Sequence, residues 1–175
     1  PLLVGALAYV LLREPPMPPP LLRNANGAPL VVQALPEGVR PLAVTFETPV
    51  ELRGARLPTQ HGPYERVDFE LYWRVTGGVP RAVAVFVHVI SPAGELINLD
   101  HDAIGGSVFF SNAPRGALLR DVVSATLEGR PEGRYYVFVG LWRSSGDEGR
   151  IPVVDRAWLP YGSEGLLVGS FDYTR

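Results

Sequence analysis

The sequence predicts an all-β chain: an antiparallel β-sandwich, Ig-like or jelly-roll-like, preceded by the end of an N-terminal transmembrane helix. Three observations predict it. Short apolar runs of period two recur from residue 28 onward, and no window there sustains the 3.6-residue stripe of a helix. The 19 glycines and 18 prolines fall between those runs, as turn residues do, rather than in a low-complexity block. Finally, residues 1–12 carry no charge at all.

The uncharged stretch comes first. Twelve helical residues rise about 18 Å, short of the roughly 30 Å of a bilayer core. Residues 1–13 are therefore expected to be the last turns of a longer transmembrane anchor, with Leu3, Leu7 and Tyr9 as partner contacts. Tyr9 near the exit and Arg13 just beyond it suit the interfacial belt. Residues 14–27 form a linker whose Pro15-Pro16-Met17-Pro18-Pro19-Pro20 run has almost no amide hydrogens to donate. Such a run prefers polyproline II, a stiff spacer of roughly 3 Å per residue.

The sandwich is expected over residues 28–175. Val67, Phe69, Leu71, Trp73 and Val75 alternate with Asp68, Glu70, Tyr72 and Arg74, which reads as a half-buried strand with Trp73 in the core. Residues 82–90 are apolar on both faces except for His88, as a central strand would be, and residues 134–143 are similar. Further strands are expected at 29–35, 43–48, 51–57, 95–99, 118–127, 151–154 and 166–173. Turn signals separate them: Thr76-Gly77-Gly78, Ser91-Pro92-Ala93-Gly94, Arg130-Pro131-Glu132-Gly133 and Gly146-Asp147-Glu148-Gly149.

Charge and composition exclude several function classes. The net charge is −2 with acids and bases mixed, so there is no concentrated basic face for a nucleic acid. All 16 basic residues are arginine, able to make planar, bidentate contacts with carboxylates or phosphates. There is no cysteine, which removes disulfides, thiolate metal sites and Cys nucleophiles together.

A search for chemistry finds little. In Asp100-His101-Asp102 the two carboxylates would share one strand face and His101 the other. Two carboxylates fall short of the six or more oxygens a calcium site supplies, and His61, His88 and His101 lie in separate segments. Asp102 is expected to cap the next turn, and His88 to be a hydrogen-bonded histidine of the sheet. Ser, His and Asp are present without a Gly-x-Ser-x-Gly elbow. No catalytic residue, metal or cofactor is assigned, and the chain is expected not to be an enzyme. Of the aromatic side chains Tyr72, Trp73, Tyr135, Tyr136, Trp142 and Trp158, alternation turns Tyr72 and Tyr136 away from the core. They are the candidate ligand-binding residues. The 105–114 connection carries Val108, Phe109 and Phe110 between small residues, either a lid over the core or a docking patch for a partner.

Residues 50–173 resemble a β-sandwich module at the carboxyl end of bacterial polytopic membrane glycosyltransferases that use polyprenyl-linked sugars. The resemblance is carried by Val67-Asp68-Phe69-Glu70-Leu71-Tyr72-Trp73-Arg74, then Phe86-Val87-His88-Val89 with Gly94. It continues through Asp102, Pro114-Arg115-Gly116, Asp121, Pro131-Glu132-Gly133-Arg134-Tyr135, Val139-Gly140-Leu141-Trp142 and Arg150-Ile151-Pro152-Val153. The chain departs from that pattern at Ala113, where the module usually has Trp, and after Asp102, where no proline follows. The resemblance implies a sandwich fold and membrane association, and brings no catalytic residue. Arg13 and Arg23 alone would favour a cytoplasmic domain; the resemblance turns the expectation to the extracytoplasmic side of the cytoplasmic membrane.

The functional expectation is a single-pass, non-catalytic accessory subunit whose sandwich docks on and stabilises a larger integral-membrane complex, such as a photosynthetic or respiratory one. The alternative is a carbohydrate- or lipid-linked-sugar-binding module in envelope glycan assembly, using Tyr72, Tyr136 and nearby arginines.

Overall fold

The computed structural model describes residues 29–61, 66–144, 149–157, 159–163 and 165–174, with the backbone alone for Gln60 and His61. The anchor with Leu3, Leu7 and Tyr9, the proline linker, the Asp147-Glu148 turn and Trp158 lie outside the described residues. No helix among the described residues is long and apolar enough to cross a membrane.

Among the described residues fourteen strands follow in chain order: β1 (Val31–Val32), β2 (Arg40–Phe46), β3 (Val50–Arg56), β4 (Gln60–His61), β5 (Arg66–Val75), β6 (Val83–Ile90) and β7 (Leu96–Asn98), then β8 (His101–Asp102), β9 (Leu118–Thr126), β10 (Gly133–Arg143), β11 (Gly149–Ile151), β12 (Val153–Asp155), β13 (Tyr161–Gly162) and β14 (Gly165–Tyr173). They build two sheets. The first has the order β1-β9-β5-β3-β2-β12; the second runs β13-β14-β10-β6-β7, with β11 on β10, β4 on β14 and β8 on β6. All pairings are antiparallel except β4 with β14. The fold is an antiparallel β-sandwich.

The core lies between the sheets and follows from alternation. Val67, Phe69, Leu71, Trp73 and Val75 of β5 are buried in one cluster with Val83, Val85, Val87 and Val89 of β6 and Tyr135, Val137, Val139 and Leu141 of β10. Aromatic contacts cross the gap: Phe69 packs on Phe171 with ring centroids 5.7 Å apart, and Phe171 stacks on Tyr135 at 5.4 Å. β6 is a central strand between β10 and the β7–β8 edge, buried at every position but the last.

Three expectations change. Residues 151–154 are not one strand but parts of two, β11 in the second sheet and β12 in the first. Pro152 lies between them; it has no amide to donate to a ladder, and its carbonyl accepts from the Glu47 amide at 2.9 Å. The 29–35 run contributes only the two-residue β1, and its continuation folds over the outer face of the first sheet.

The third change concerns the apolar trio. Phe110 opens a short 3₁₀ turn (Phe110–Asn112) and is only 1% exposed, edge-on to Trp73 at 5.7 Å. Val108 packs against the same core, leaving Phe109 alone outward, 41% exposed. Val108 and Phe110 thus form a lid rather than a docking patch, because an aromatic ring gains more from the core opening beside Trp73 than from solvent.

Candidate functional site

Tyr72 was a candidate by alternation, and it does point out of the sandwich. It is nevertheless 0% exposed, because Val32, Leu35 and Val39 pack over it together with Leu118. Its hydroxyl donates to Glu70 Oε2 at 2.5 Å. Burial, then the Glu70 hydrogen bond and charge, push the Tyr72 pKa up to about 12. Glu70 also accepts from Arg120 Nη2 at 2.8 Å and from Arg56 Nη1 at 3.3 Å. Burial alone would raise the Glu70 pKa, but the hydrogen bonds of Arg120 and Tyr72 outweigh it and hold the carboxyl below its usual range. The Tyr72 hydroxyl and the Glu70 carboxylate are spent on the fold. Tyr72 is removed from the ligand-binding candidates.

Tyr136 stands differently. It lies on the outer face of β10, 43% exposed, opposite Ile90 of β6 and Ser170 of β14. One row away Arg134 faces Asp172 and makes a double hydrogen bond to it, Nε–Oδ1 3.1 Å and Nη2–Oδ2 3.0 Å. That hydrogen bond and charge raise the Arg134 pKa, with a smaller contribution from Tyr136. On the other side Phe138 faces His88, which faces Asn98 of β7, while Leu96, 48% exposed, sits opposite Ile90. His88 Nε2 is 3.5 Å from Asp100 Oδ1. The outer face of the second sheet therefore mixes aromatic and aliphatic side chains with a rim of charged and amide groups.

The next row shows how this face is built. Phe86 lies flat across Gly140 and Gly165; a Cβ at Gly165 would meet its ring at 2.7 and 2.9 Å, and one at Gly140 would run into it. Arg150 caps the ring from the solvent side, 4.7 Å from its centroid. The two glycines are needed because Phe86 occupies the space their side chains would take. Gly140→Ala is expected to displace Phe86, break the Arg150 stack and cost about 1–3 kcal/mol, measured as a lower urea midpoint at unchanged m.

The Asp100-His101-Asp102 segment divides as alternation requires. Asp102 pairs with Ala84 on the outer face, while His101 pairs with Val85 and turns inward. His101 Nδ1 lies 2.8 Å from the Leu99 carbonyl oxygen and Nε2 lies 3.0 Å from Asp121 Oδ2 of β9, in the opposite sheet. Both nitrogens face acceptors, an arrangement that favours the doubly protonated ring. Trp73 Nε1 donates to the same carboxylate oxygen at 3.2 Å. Burial lowers the His101 pKa, but the hydrogen bond and charge of Asp121, with the Leu99 carbonyl and Asp100, raise it above the ordinary histidine value.

This constellation is not a catalytic dyad. His101 lines a cleft of about 390 Å³ that also contains Ser124, yet its ring nitrogens are both committed and the Ser124 hydroxyl donates to Asp68 at 2.5 Å. A general base must have a nitrogen free to accept the nucleophile's proton. Among the described residues no group of three or more His, Asp or Glu is placed to hold a metal ion. Asp100 is engaged with His88 and Asn98 instead, and the following turn closes through the Asp102 carbonyl, which accepts from the Gly106 amide at 2.9 Å.

No protein-family model matches the chain, and no curated protein matches it. Among solved structures it is similar to the crystal structure of the C-terminal domain of wzt, with a TM-score of 0.51 at 10% sequence identity. The match covers 79% of this chain and 81% of that one. That likeness shows the fold.

Proposed function

We propose that the domain is a non-catalytic glycan-binding module whose binding face is the outer surface of β6, β10 and β14 around Tyr136. The observation that carries this reading is an exposed tyrosine set in an apolar row and rimmed by paired polar groups. Sugar rings present flat apolar faces that pack on aromatic rings, and hydroxyls that need mixed donors and acceptors at the edge. Tyr136 supplies the ring; Arg134, Asp172, Ser170 and Asn98 supply the edge, and the charged pair holds both partners in place before a ligand arrives. The resemblance to modules of polyprenyl-sugar glycosyltransferases supports the same direction. We also propose that the module works on the extracytoplasmic side of the cytoplasmic membrane.

The accessory-subunit reading retains Phe109 as its exposed contact. It loses the contiguous apolar patch, one of the observations behind it, since Phe110 is core and Val108 packs against it. A glycan array separates the two readings. The full chain is expected to bind a subset of bacterial glycans, and Tyr136→Ala to weaken that binding about tenfold, the effect of losing roughly 1.4 kcal/mol of ring contact. Phe109→Ala should leave it unchanged. Silence across the array, or binding indifferent to Tyr136→Ala, contradicts the proposal.

A further inference from the structure

A second concavity adjoins the Tyr136 face, on the side of the sandwich where β14 meets the ends of β2 and β3. It is a cleft of about 550 Å³, and three arginines line it, Arg40, Arg56 and Arg134, against one carboxylate among its lining residues, Asp172. We propose that this cleft binds an oxyanion carried on the glycan, so that the module selects acidic sugars. The inference rests on the glycan-binding reading and extends it to the ligand's charge.

The guanidinium groups are anchored rather than loose. Arg40 Nη2 donates to the Val168 carbonyl, Arg56 Nη2 donates to the Glu37 carbonyl at 2.6 Å, and Arg56 Nη1 reaches Glu70 at 3.3 Å. Anchoring one edge of a guanidinium fixes its plane, and its five N–H donors outnumber the acceptors that anchor Arg56. Fixed planes suit bidentate contact with a carboxylate or phosphate, and little side-chain freedom is left to lose on binding.

The backbone around them is bare. Gly38 and Gly169 lie at φ +77° and +153°, in the region that favours glycine, and each stands beside one of these arginines. A Cβ at Gly38 would sit 3.9 Å from Arg56 Nε, and one at Gly169 would sit 3.9 Å from both terminal nitrogens of Arg40 while striking Leu57 at 2.7 Å.

Charge balance points the same way. Three arginines against one aspartate leave the lining at +2; Glu70, beside Arg56, is shared with Arg120. An anion is attracted where a neutral sugar is not. The cleft is also continuous with the aromatic face, because Ser170 and Asp172 line it and Ser170 is the cross-strand partner of Tyr136. A sugar packed on Tyr136 therefore has its neighbour's acidic group within reach of the cleft. The chemistry required is an oxyanion on a sugar, either the carboxylate of a uronic acid or the phosphate of a phosphorylated hexose.

The test follows the arginine Nε–Hε signals of the full chain by NMR, in about 0.15 M salt so that distant surface charges are screened. Glucuronate, glucose 6-phosphate, glucose and inorganic phosphate are titrated separately. Glucuronate or glucose 6-phosphate is expected to shift the Arg40 and Arg56 signals saturably, glucose to leave them still, and the responding acid names the source. Thr59→Glu, at the exposed rim, puts a competing carboxylate into the cleft and is expected to weaken the response about tenfold or more; Arg56→Gln is expected to do the same without adding charge. Tyr136→Ala should weaken binding of sugars and leave inorganic phosphate unaffected. If neither acidic sugar moves the arginine signals while neutral glycans still perturb the Tyr136 face, the cleft proposal fails and the glycan reading stands. If inorganic phosphate alone moves them, the cleft is a free-anion site and the proposal of an acidic glycan fails. If no sugar perturbs either region, both fail together.

Discussion

Asp121→Ala is expected to cost about 3–5 kcal/mol, the penalty of leaving a buried charge without its partner. Asp121 is 0% exposed and its Oδ2 accepts from both His101 and Trp73, tying the β8 edge of one sheet to the middle of the other. Removing the carboxylate strands an imidazolium between the sheets and leaves the indole N–H without an acceptor. Asp121→Asn keeps one acceptor oxygen and should cost less. Equilibrium urea unfolding gives both values, and a loss for Asp121→Ala below about 1 kcal/mol, the range of an exposed pair, would show that the network contributes little.

The same pair makes stability depend on pH with a definite sign. His101 has a raised pKa in the folded chain, against about 6.5 when unfolded. A raised folded pKa contributes stability that is fully present below the unfolded value and is lost as pH rises through the folded one. The wild-type urea midpoint should therefore fall as pH is raised from about 6 into the alkaline range. His101→Gln should flatten that part of the profile. A wild-type midpoint that rises over the same interval would contradict an imidazolium at this position.

Trp73→Ala is the second large effect, about 3–5 kcal/mol. The side chain is fully buried, tilted against Phe46 at 6.1 Å and edge-on to Phe110 at 5.7 Å. Its removal opens a cavity under the 3₁₀ turn and withdraws a donor from Asp121. Because Trp73 and Asp121 share a hydrogen bond, their losses should not add, and a double-mutant cycle is expected to return a coupling of about 0.5–3 kcal/mol. Trp73→Phe keeps much of the ring and should isolate the hydrogen bond. The Trp73→Ala variant should also loosen Phe110, read as increased exchange of the Asn112 and Ala113 amides that close the turn on Phe109 and Phe110.

The parts of this fold that depend on alternation within one strand were legible in the sequence. The period-two pattern at 67–75 places Trp73 inward and Asp68 outward, and the doubly apolar 83–89 run marks a central strand, since each follows from Cβ direction alone. That His101 faces away from Asp100 and Asp102 was legible for the same reason, whereas its inward direction was not.

What failed depends on partners distant in sequence. Tyr72 does face outward, but no local pattern indicates that residues 32–39 fold back over it. The network centred on Asp121 joins residues 20 and 48 positions away, and Asp121 interrupts an otherwise apolar inner row without announcing its partners. Val108, Phe109 and Phe110 read as one apolar patch because a 3₁₀ turn splits them only after the core opening beside Trp73 is formed. Gly140 and Gly165 carry a weak signal, glycine within a strand, that marks the space taken by Phe86. The arginine cleft has none, since Arg40, Arg56 and Arg134 come from three strands of two sheets.

The binding face is tested most directly by backbone amide shift mapping of the full chain against size-fractionated oligosaccharides released from bacterial envelope glycans. The account predicts saturable shifts that cluster at Ile90, Asn98, Tyr136, Ser170 and Asp172, on one face of three adjacent strands and the β7 edge. Shifts confined to Phe109 and its neighbours, or none at saturating oligosaccharide, would contradict it.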